Sequence, residues 1–287
     1  MSADLDLPDD WTTATAAANG VDLRYYRTGE GPPIVYAHGF YGNGRSRRRL
    51  IDDLAADYTV VSYDARGHGR SAAPETGYTV DDRAADLLGL LDALALSEPV
   101  VMGHSMGGAT VAAAAAEAPE RVGGAVLVDP AGFTGEPAPM SPDERAAFVR
   151  EQVAEWDERG VDAIAEENAE ELPEAYLDAA PGQPRREAEA AVECSPEIAE
   201  IAREGYPEEA YVAELFPEIT APALVLRADA EPERRREDLD AAEALPNGRL
   251  VHVHDADHAV FQSQYDAAMR ELRAFLRGCQ SQSTNTT

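Results

Sequence analysis

The stretch Val100-Val101-Met102-Gly103-His104-Ser105-Met106-Gly107-Gly108 decides the fold of this chain. Its first residues are apolar and suit a buried strand, which leads directly into the pattern G-x-S-x-G. An alanine-rich helical run follows over residues 109–118. A strand that turns sharply into a helix exposes the turn residue at the carboxyl edge of a sheet. We therefore expect Ser105 at this turn, with Gly103 and Gly107 leaving room for the neighbouring backbone.

The same turn gives Ser105 a chemical setting. The backbone N–H of Met106, together with the N-terminus of the helix, would point towards negative charge developing beside the serine hydroxyl. Such a strand–turn–helix arrangement is a nucleophile elbow. The sequence thus identifies Ser105 as a candidate nucleophile and the Met106 amide as a candidate donor of an oxyanion hole.

The composition is strongly acidic. The 287 residues include 54 Asp and Glu against 24 basic residues, all of them arginine, and the formal net charge is −30. Such a surface repels nucleic acids and anionic membranes, so we expect neither as a partner. The carboxylates are spread along the whole chain, as in proteins of extreme halophiles. We interpret the charge as adaptation to molar salt, where the Debye length is about 3 Å.

The cysteines and the N-terminal segment bear on localisation. Cys194 and Cys279 are far apart and in no metal or redox spacing, which favours free thiols in a reducing compartment. The acidic segment 1–6 lacks the features of a signal peptide, and no apolar run is long enough to span a bilayer. These features predict a cytoplasmic protein.

Strand-like and helical segments alternate along most of the chain. Strands are predicted at 22–27, 33–37, 58–62, 99–102 and 125–128, and again at 223–226 and 249–253. Between residues 134 and 217 only helical patterns occur. The alternation predicts an α/β fold with a mainly parallel, doubly wound sheet. We expect a core formed by residues 1–133 and 218–287 and an inserted helical lid formed by residues 134–217.

Several separate motifs occur in one order: His38-Gly39-Phe40 after a strand, a glycine-rich turn over 64–71, the G-x-S-x-G stretch, and a histidine before the last helix. In this order they resemble the α/β-hydrolase fold family. The resemblance covers nearly the whole core and implies a Ser–His–acid catalytic triad. It identifies His258, which follows the last strand, as the candidate general base.

The resemblance is less decisive about the acid. The segment Leu224–Pro232 is similar to the family's strand and loop that carry the catalytic carboxylate, and in that register Glu231 is the acid. Asp229, two residues earlier, is the alternative because glutamate departs from the commoner aspartate. Asp129, at the end of the preceding strand, is a further candidate.

The loop after the second predicted strand supplies the other part of an oxyanion hole. His38-Gly39 would let the chain turn tightly enough for the Phe40 amide to face Ser105, so the predicted donors are the amides of Phe40 and Met106. Phe40 and Tyr41 are predicted to line a substrate cleft. The basic cluster of Arg45 and 47–49 is interpreted as a solvated helix face paired to local acids, with recognition of an anionic substrate as the alternative.

We predict neither a metal nor a cofactor. His252 and His254 could form a metal pair by their spacing, but polar residues near a sheet edge are the simpler interpretation. The glycines at 29 and 31 precede a strand and open no helix, so they form no dinucleotide-binding fingerprint.

Together these features predict a cofactor-independent serine hydrolase acting on a small carboxylic ester or lactone. Serine at the elbow argues against relatives that use aspartate there, the epoxide hydrolases and haloalkane dehalogenases. Carbon–carbon bond hydrolases and perhydrolases use the same triad and remain alternatives, as does a non-catalytic small-molecule receptor on the same fold. The oligomeric state is left open.

Overall fold

The computed structural model describes residues 7–133, 140–205 and 211–283. Within them, eight strands form one sheet in the order β1-β2-β4-β3-β5-β6-β7-β8. The strands are β1 (Thr12–Ala18), β2 (Val21–Thr28), β3 (Pro33–Ala37), β4 (Thr59–Tyr63), β5 (Val100–His104), β6 (Gly124–Val128), β7 (Ala223–Arg227) and β8 (Gly248–His252). The strands β1, β2 and β4 pair antiparallel, and all other pairs are parallel. The predicted α/β fold with a mainly parallel sheet is confirmed.

The helices cover both faces of the sheet. They are α1 (Arg48–Ala55), α2 (Val80–Ala93), α3 (Met106–Glu117), α4 (Pro142–Glu171), α5 (Glu174–Ala179), α6 (Gln183–Val192), α7 (Ala199–Glu204), α8 (Tyr211–Glu214), α9 (Pro232–Ala242), α10 (Val260–Ser263) and α11 (Tyr265–Ser283). Short 3₁₀ helices lie at Pro119–Arg121, Pro196–Ile198 and Phe216–Glu218. None of the described helices has both the length and the apolar character required to cross a membrane.

The central strands are apolar on both faces because each face is covered by helices. In β3, Ile34 packs in the core shared with α1 and α11, whereas its neighbour Val35 packs in the core shared with α2 and α3. Val101 and Met102 of β5 divide in the same way. Alternate side chains of one buried strand therefore pack into two different cores. Both sets of side chains must be apolar, which accounts for the continuous apolar runs of the sequence.

The described helices between β6 and β7 occupy the segment predicted as the lid. The longest, α4, contains a kink at Gly160, where φ is 73° and ψ is 167°. Its halves pack against α6 and α7. The boundaries of the lid at residues 134 and 217 stay a prediction, since 134–139 and 206–210 lie outside the described residues.

Candidate active site

Ser105 lies at the turn between β5 and α3, at the position that the sequence predicts. Its φ of 52° and ψ of −114° are strained for a residue with a side chain, which is typical of a nucleophile elbow. The turn requires glycine on both sides. A Cβ atom on Gly103 would lie 2.1 Å from the carbonyl oxygen of Gly107, and one on Gly107 would lie 2.2 Å from that of Ala37.

His258 lies on the loop between β8 and α10 and reaches back over the elbow. Its Nε2 atom is 3.0 Å from Ser105 Oγ, and its Nδ1 atom is 2.5 Å from Asp129 Oδ2. Because a carboxylate can only accept, Nδ1–H donates to Asp129, which leaves Nε2 free to accept the serine proton. The structure thus brings the predicted nucleophile and the predicted base within hydrogen-bonding distance.

The carboxylate beside the histidine is Asp129, and the expectation that Glu231 or Asp229 occupies this place is wrong. Asp129 directly follows β6, which is the neighbour of β5 in the sheet. Glu231 and Asp229 follow β7, one strand further from the elbow. The carboxyl end of β6 is therefore closer to Ser105 than that of β7, a distinction that depends on strand order.

Asp229 and Glu231 lie in other surroundings. Asp229 accepts hydrogen bonds from the backbone N–H of Asp255 (2.7 Å) and from Nδ1 of His254 (2.9 Å), and it pairs with Arg235. These hydrogen bonds, that from the Asp255 amide being the largest contribution, lower the pKa of Asp229. Glu231 is the N-cap residue of α9, exposed to solvent.

Asp129 is buried and held by the core. It accepts hydrogen bonds from Arg227 Nη1 (2.5 Å) and from the backbone N–H of Ala228 (3.1 Å). Burial tends to raise the pKa of Asp129, but the hydrogen bond from His258 and the charge of Arg227 outweigh it, so that the net shift is downward. Asp129 is therefore kept as a carboxylate, the form that orients an imidazole and stabilises it when it becomes charged.

Arg227 is a residue that the sequence analysis missed. Besides contacting Asp129, its Nε donates to Asp238 Oδ2 (3.1 Å), and its guanidinium lies 4.8 Å from the ring centroid of Phe133. One of its neighbours, Asp238, is completely buried. No sequence pattern indicates this role for Arg227, because Asp129 and Asp238 become its neighbours only in the folded protein.

His104 precedes Ser105 and lines the same cavity, and its Nε2–H donates to the backbone carbonyl of His258 at 2.8 Å. Burial, with a further contribution from the charge of Arg47, lowers the pKa of His104 to about 3. A neutral His104 therefore positions the His258 loop.

The two histidines with metal-pair spacing lie in different surroundings. The buried side chain of His252 contacts the carbonyl of Ala228 at 2.9 Å, whereas the side chain of His254 is 82% exposed and contacts Asp229. The strand β8 ends at His252, so that period-two alternation no longer aligns the pair.

A cavity of about 710 Å³ opens above the serine. The sheet side contributes Ser105, His258 and Phe40, and the lid side contributes residues of α4 and α6. Tyr41 also lines the cavity, and its ring meets that of Trp156 from α4 edge to face at 4.7 Å. Phe40 and Tyr41, which the sequence predicts to line a substrate cleft, thus both line this cavity.

The loop that carries Phe40 is fixed by buried groups. Nε2 of His68 lies 2.5 Å from the Phe40 carbonyl oxygen, and the Ala65 N–H donates to Nε2 of His38. Met106 is the first residue of α3, and the N–H of a first helical residue has no partner within its own helix. The assignment of the Phe40 and Met106 amides to an oxyanion hole stays a prediction.

Comparison with known proteins supports the fold. Residues 32–263 match the family model of the alpha/beta hydrolase fold. A 2-(acetamidomethylene)succinate hydrolase of Mesorhizobium japonicum is 33% identical over 129 residues, which are 45% of this chain and 46% of the relative. The 3-oxoadipate enol-lactonase 2 of Acinetobacter baylyi is 32% identical over 140 residues, 48% of this chain and 52% of the relative. The matched segment thus spans about half the length of these relatives.

Among solved structures, the enol-lactonase of Burkholderia xenovorans superposes with a TM-score of 0.72 at 27% identity. The alignment covers 92% of this chain and all of that one. The family model, the sheet order and the elbow at Ser105 lead to one conclusion: the chain belongs to the α/β-hydrolase fold family.

Proposed function

We propose that the protein is a cofactor-independent serine hydrolase that cleaves a small carboxylic ester or lactone. The observation that carries the proposal is the continuous hydrogen-bonded chain from Ser105 Oγ through the imidazole of His258 to the carboxylate of Asp129. A serine hydroxyl is a weak nucleophile until an adjacent base accepts its proton, and this chain supplies such a base together with an acid that orients it.

In the proposed reaction, Ser105 Oγ attacks the substrate carbonyl carbon while its proton moves to Nε2 of His258. The negative charge of the tetrahedral intermediate rests on the amides of Phe40 and Met106, each worth about 3 kcal/mol at the transition state. The protonated imidazole then gives its proton to the leaving alkoxide. Water, deprotonated by the same histidine, hydrolyses the acyl-enzyme and restores Ser105.

An ester or lactone substrate is supported by relatives and solved structures that include an enol-lactonase and an esterase. Carbon–carbon bond hydrolysis and perhydrolysis would use the same three side chains, so that a substrate panel separates them. The small-molecule substrate, a cytoplasmic location and the independence from a cofactor are parts of this proposal.

A fluorophosphonate probe tests the proposal directly, because it forms a covalent bond only with an activated serine. We expect the wild-type chain to be labelled at Ser105 in molar KCl, and Ser105→Ala to remain unlabelled and to lose hydrolysis of p-nitrophenyl butanoate. Equal labelling of both proteins would contradict the assignment of Ser105 as the nucleophile, and folded wild-type protein that is not labelled would favour a receptor.

A further inference from the structure

The charged groups of the active-site cavity bear on its substrate. The lid contributes four glutamates to the lining, Glu155, Glu167 and Glu171 from α4 and Glu187 from α6. Only two arginines, Arg47 and Arg159, line the same cavity among the described residues. The lining of the cavity therefore carries a formal excess of carboxylates.

The charge of Arg47 is already neutralised by a carboxylate of the protein. Arg47 lies below the lid with its side chain 19% exposed, and its Nη1 donates to Glu187 Oε1. The same carboxylate oxygen accepts hydrogen bonds from the side-chain amides of Gln183 (3.0 Å) and Gln262 (2.8 Å). Because α6, α10 and the loop after β3 all contribute to this network, Arg47 is held in a fixed pair with Glu187. Arg47 is therefore paired with an acid, but this acid belongs to the inserted helical segment and Arg47 does not lie on a solvated helix face.

Arg159, the second arginine of the lining, forms ion pairs with two carboxylates. Arg159 donates from Nη1 to Glu155 Oε1 at 3.0 Å and from Nη2 to Glu167 Oε2. Glu155 and Arg159 precede the kink at Gly160 in α4, and Glu167 follows it. Glu171 adds a further carboxylate to this part of the lining.

A carboxylate on a substrate would consequently enter the cavity without a counterion. Both arginines would have to release a protein carboxylate before binding a substrate one, and the released carboxylate would itself become unpaired. Molar salt does not remove this cost, because a Debye length of about 3 Å screens distant charges but leaves direct contacts in place. An uncharged or cationic group meets no such penalty.

We propose that the cavity selects esters or lactones whose acyl part is uncharged or cationic, and that it rejects acyl parts bearing a carboxylate. This inference rests on the proposed hydrolase function and specifies its substrate class. It follows from the pairing of Arg47 and Arg159 and from the surplus of glutamates around them.

Three p-nitrophenyl esters of similar length test the inference: the butanoate, the 4-(trimethylammonio)butanoate and the hemisuccinate. Each kcat/KM, measured in 2 M KCl, is divided by the rate of alkaline hydrolysis of the same ester to remove intrinsic reactivity. We expect the hemisuccinate to be hydrolysed at least tenfold less efficiently than the butanoate, and the cationic ester at least as efficiently as the butanoate.

The double variant Glu155→Gln/Glu167→Gln removes both negative charges that pair with Arg159 and keeps the side chains nearly the same size. We expect it to raise the ratio of kcat/KM for the hemisuccinate to kcat/KM for the butanoate at least fivefold. The matched control is Glu158→Gln/Glu166→Gln, which makes the same change of net charge on the same helix at exposed positions outside the cavity lining. The control should leave all three esters unchanged.

The outcomes separate the inference from the function on which it rests. Hydrolysis that depends on Ser105 but prefers the hemisuccinate would overturn the substrate class and leave the hydrolase function intact. An equal effect of the two double variants would also overturn the class, because it would assign the selectivity to net charge. Hydrolysis that persists in Ser105→Ala would overturn both.

Discussion

At the scale of single residues, the site depends on which carboxylate orients His258. The sequence offered three candidate carboxylates for this role. In the structure Oδ2 of Asp129 lies 2.5 Å from Nδ1 of His258, whereas Asp229 contacts His254 and Glu231 caps α9. The carboxylate of Asp129 is 10% exposed and is paired with Arg227, so its contact with the imidazole is held by the core. The imidazole itself is 59% exposed, as a group that must meet substrate should be.

Asp129→Asn tests this assignment. We expect kcat/KM for p-nitrophenyl butanoate to fall about 10⁴-fold, because the amide can no longer keep the imidazole in the productive tautomer. Asp229→Asn and Glu231→Gln serve as matched controls with the same loss of charge, and we expect each to retain activity within about threefold. A large loss in either control and a small one in Asp129→Asn would reverse the assignment.

At the scale of elements, the elbow is the part of the site that was best predicted. The glycines of the elbow can be recognised in the sequence because the reason for them is local. The chain must pass from β5 to α3 within one residue, and the neighbouring backbone leaves no room for a Cβ. The strand β1 illustrates the opposite case. Its threonines and alanines carry no apolar alternation, and pairing with β2 makes it a strand.

Gly107→Ala tests the packing of the elbow. The added methyl group would lie 2.2 Å from the Ala37 carbonyl oxygen and 2.6 Å from that of His38, and these backbone atoms cannot move aside as a flexible side chain could. We expect a loss of at least about 3 kcal/mol of unfolding free energy in urea, the upper end for overpacking. Gly278→Ala in α11 is the control, since nothing lies within 4 Å of its new Cβ. It should instead stabilise by roughly 0.5–1 kcal/mol. Equal effects of the two substitutions would contradict the packing argument.

At the scale of the whole molecule, the charge of −30 sets the response to salt. Salt weakens both the repulsion among carboxylates and the ion pairs of the arginines. Exposed pairs are worth only about 0–1 kcal/mol each, whereas the repulsion extends over the whole surface when the Debye length is about 30 Å at 0.01 M. Relief of repulsion should therefore exceed the loss of ion pairs.

We expect the thermal unfolding temperature to rise steadily between 0.05 and 2 M KCl, as measured by circular dichroism. Sucrose at matched osmolality is the control, because it strengthens burial without screening charge. A midpoint that does not change with KCl, or that rises equally in sucrose, would remove the halophilic interpretation.

Buried histidines set the response of the whole fold to acid. Burial lowers the pKa of His38 to about 3 and that of His68 to about 4, and His104 behaves like His38. Below pH 6.5 these histidines bind protons in the unfolded chain but stay neutral in the folded one. The free energy of unfolding therefore falls as the pH decreases. Asp64 opposes this trend, because burial raises its pKa to about 6.

The net loss should be on the order of a few kcal/mol between pH 7 and pH 5, since each proton contributes about 1.4 kcal/mol per pH unit. Urea unfolding at fixed 2 M KCl measures it. His68→Gln should reduce the pH slope by about one proton, and His254→Gln, an exposed residue whose pKa is raised by Asp229, should not flatten it. An unchanged slope in His68→Gln would contradict this account.

The sequence by itself determined the alternation of strands and helices, the inserted helical segment, the elbow at Ser105 and the histidine that serves it. The first three features depend on local periodicity or on a motif whose residues are neighbours in the chain, whereas His258 was identified by the order of motifs that resembles the family. Only the tertiary structure decided that Asp129 contacts His258, that Arg227 supports it, and that Arg47 of the cavity is neutralised by Glu187. Such contacts join residues that lie about 100 positions or more apart, and strand order and lid packing, which no local pattern encodes, bring them together.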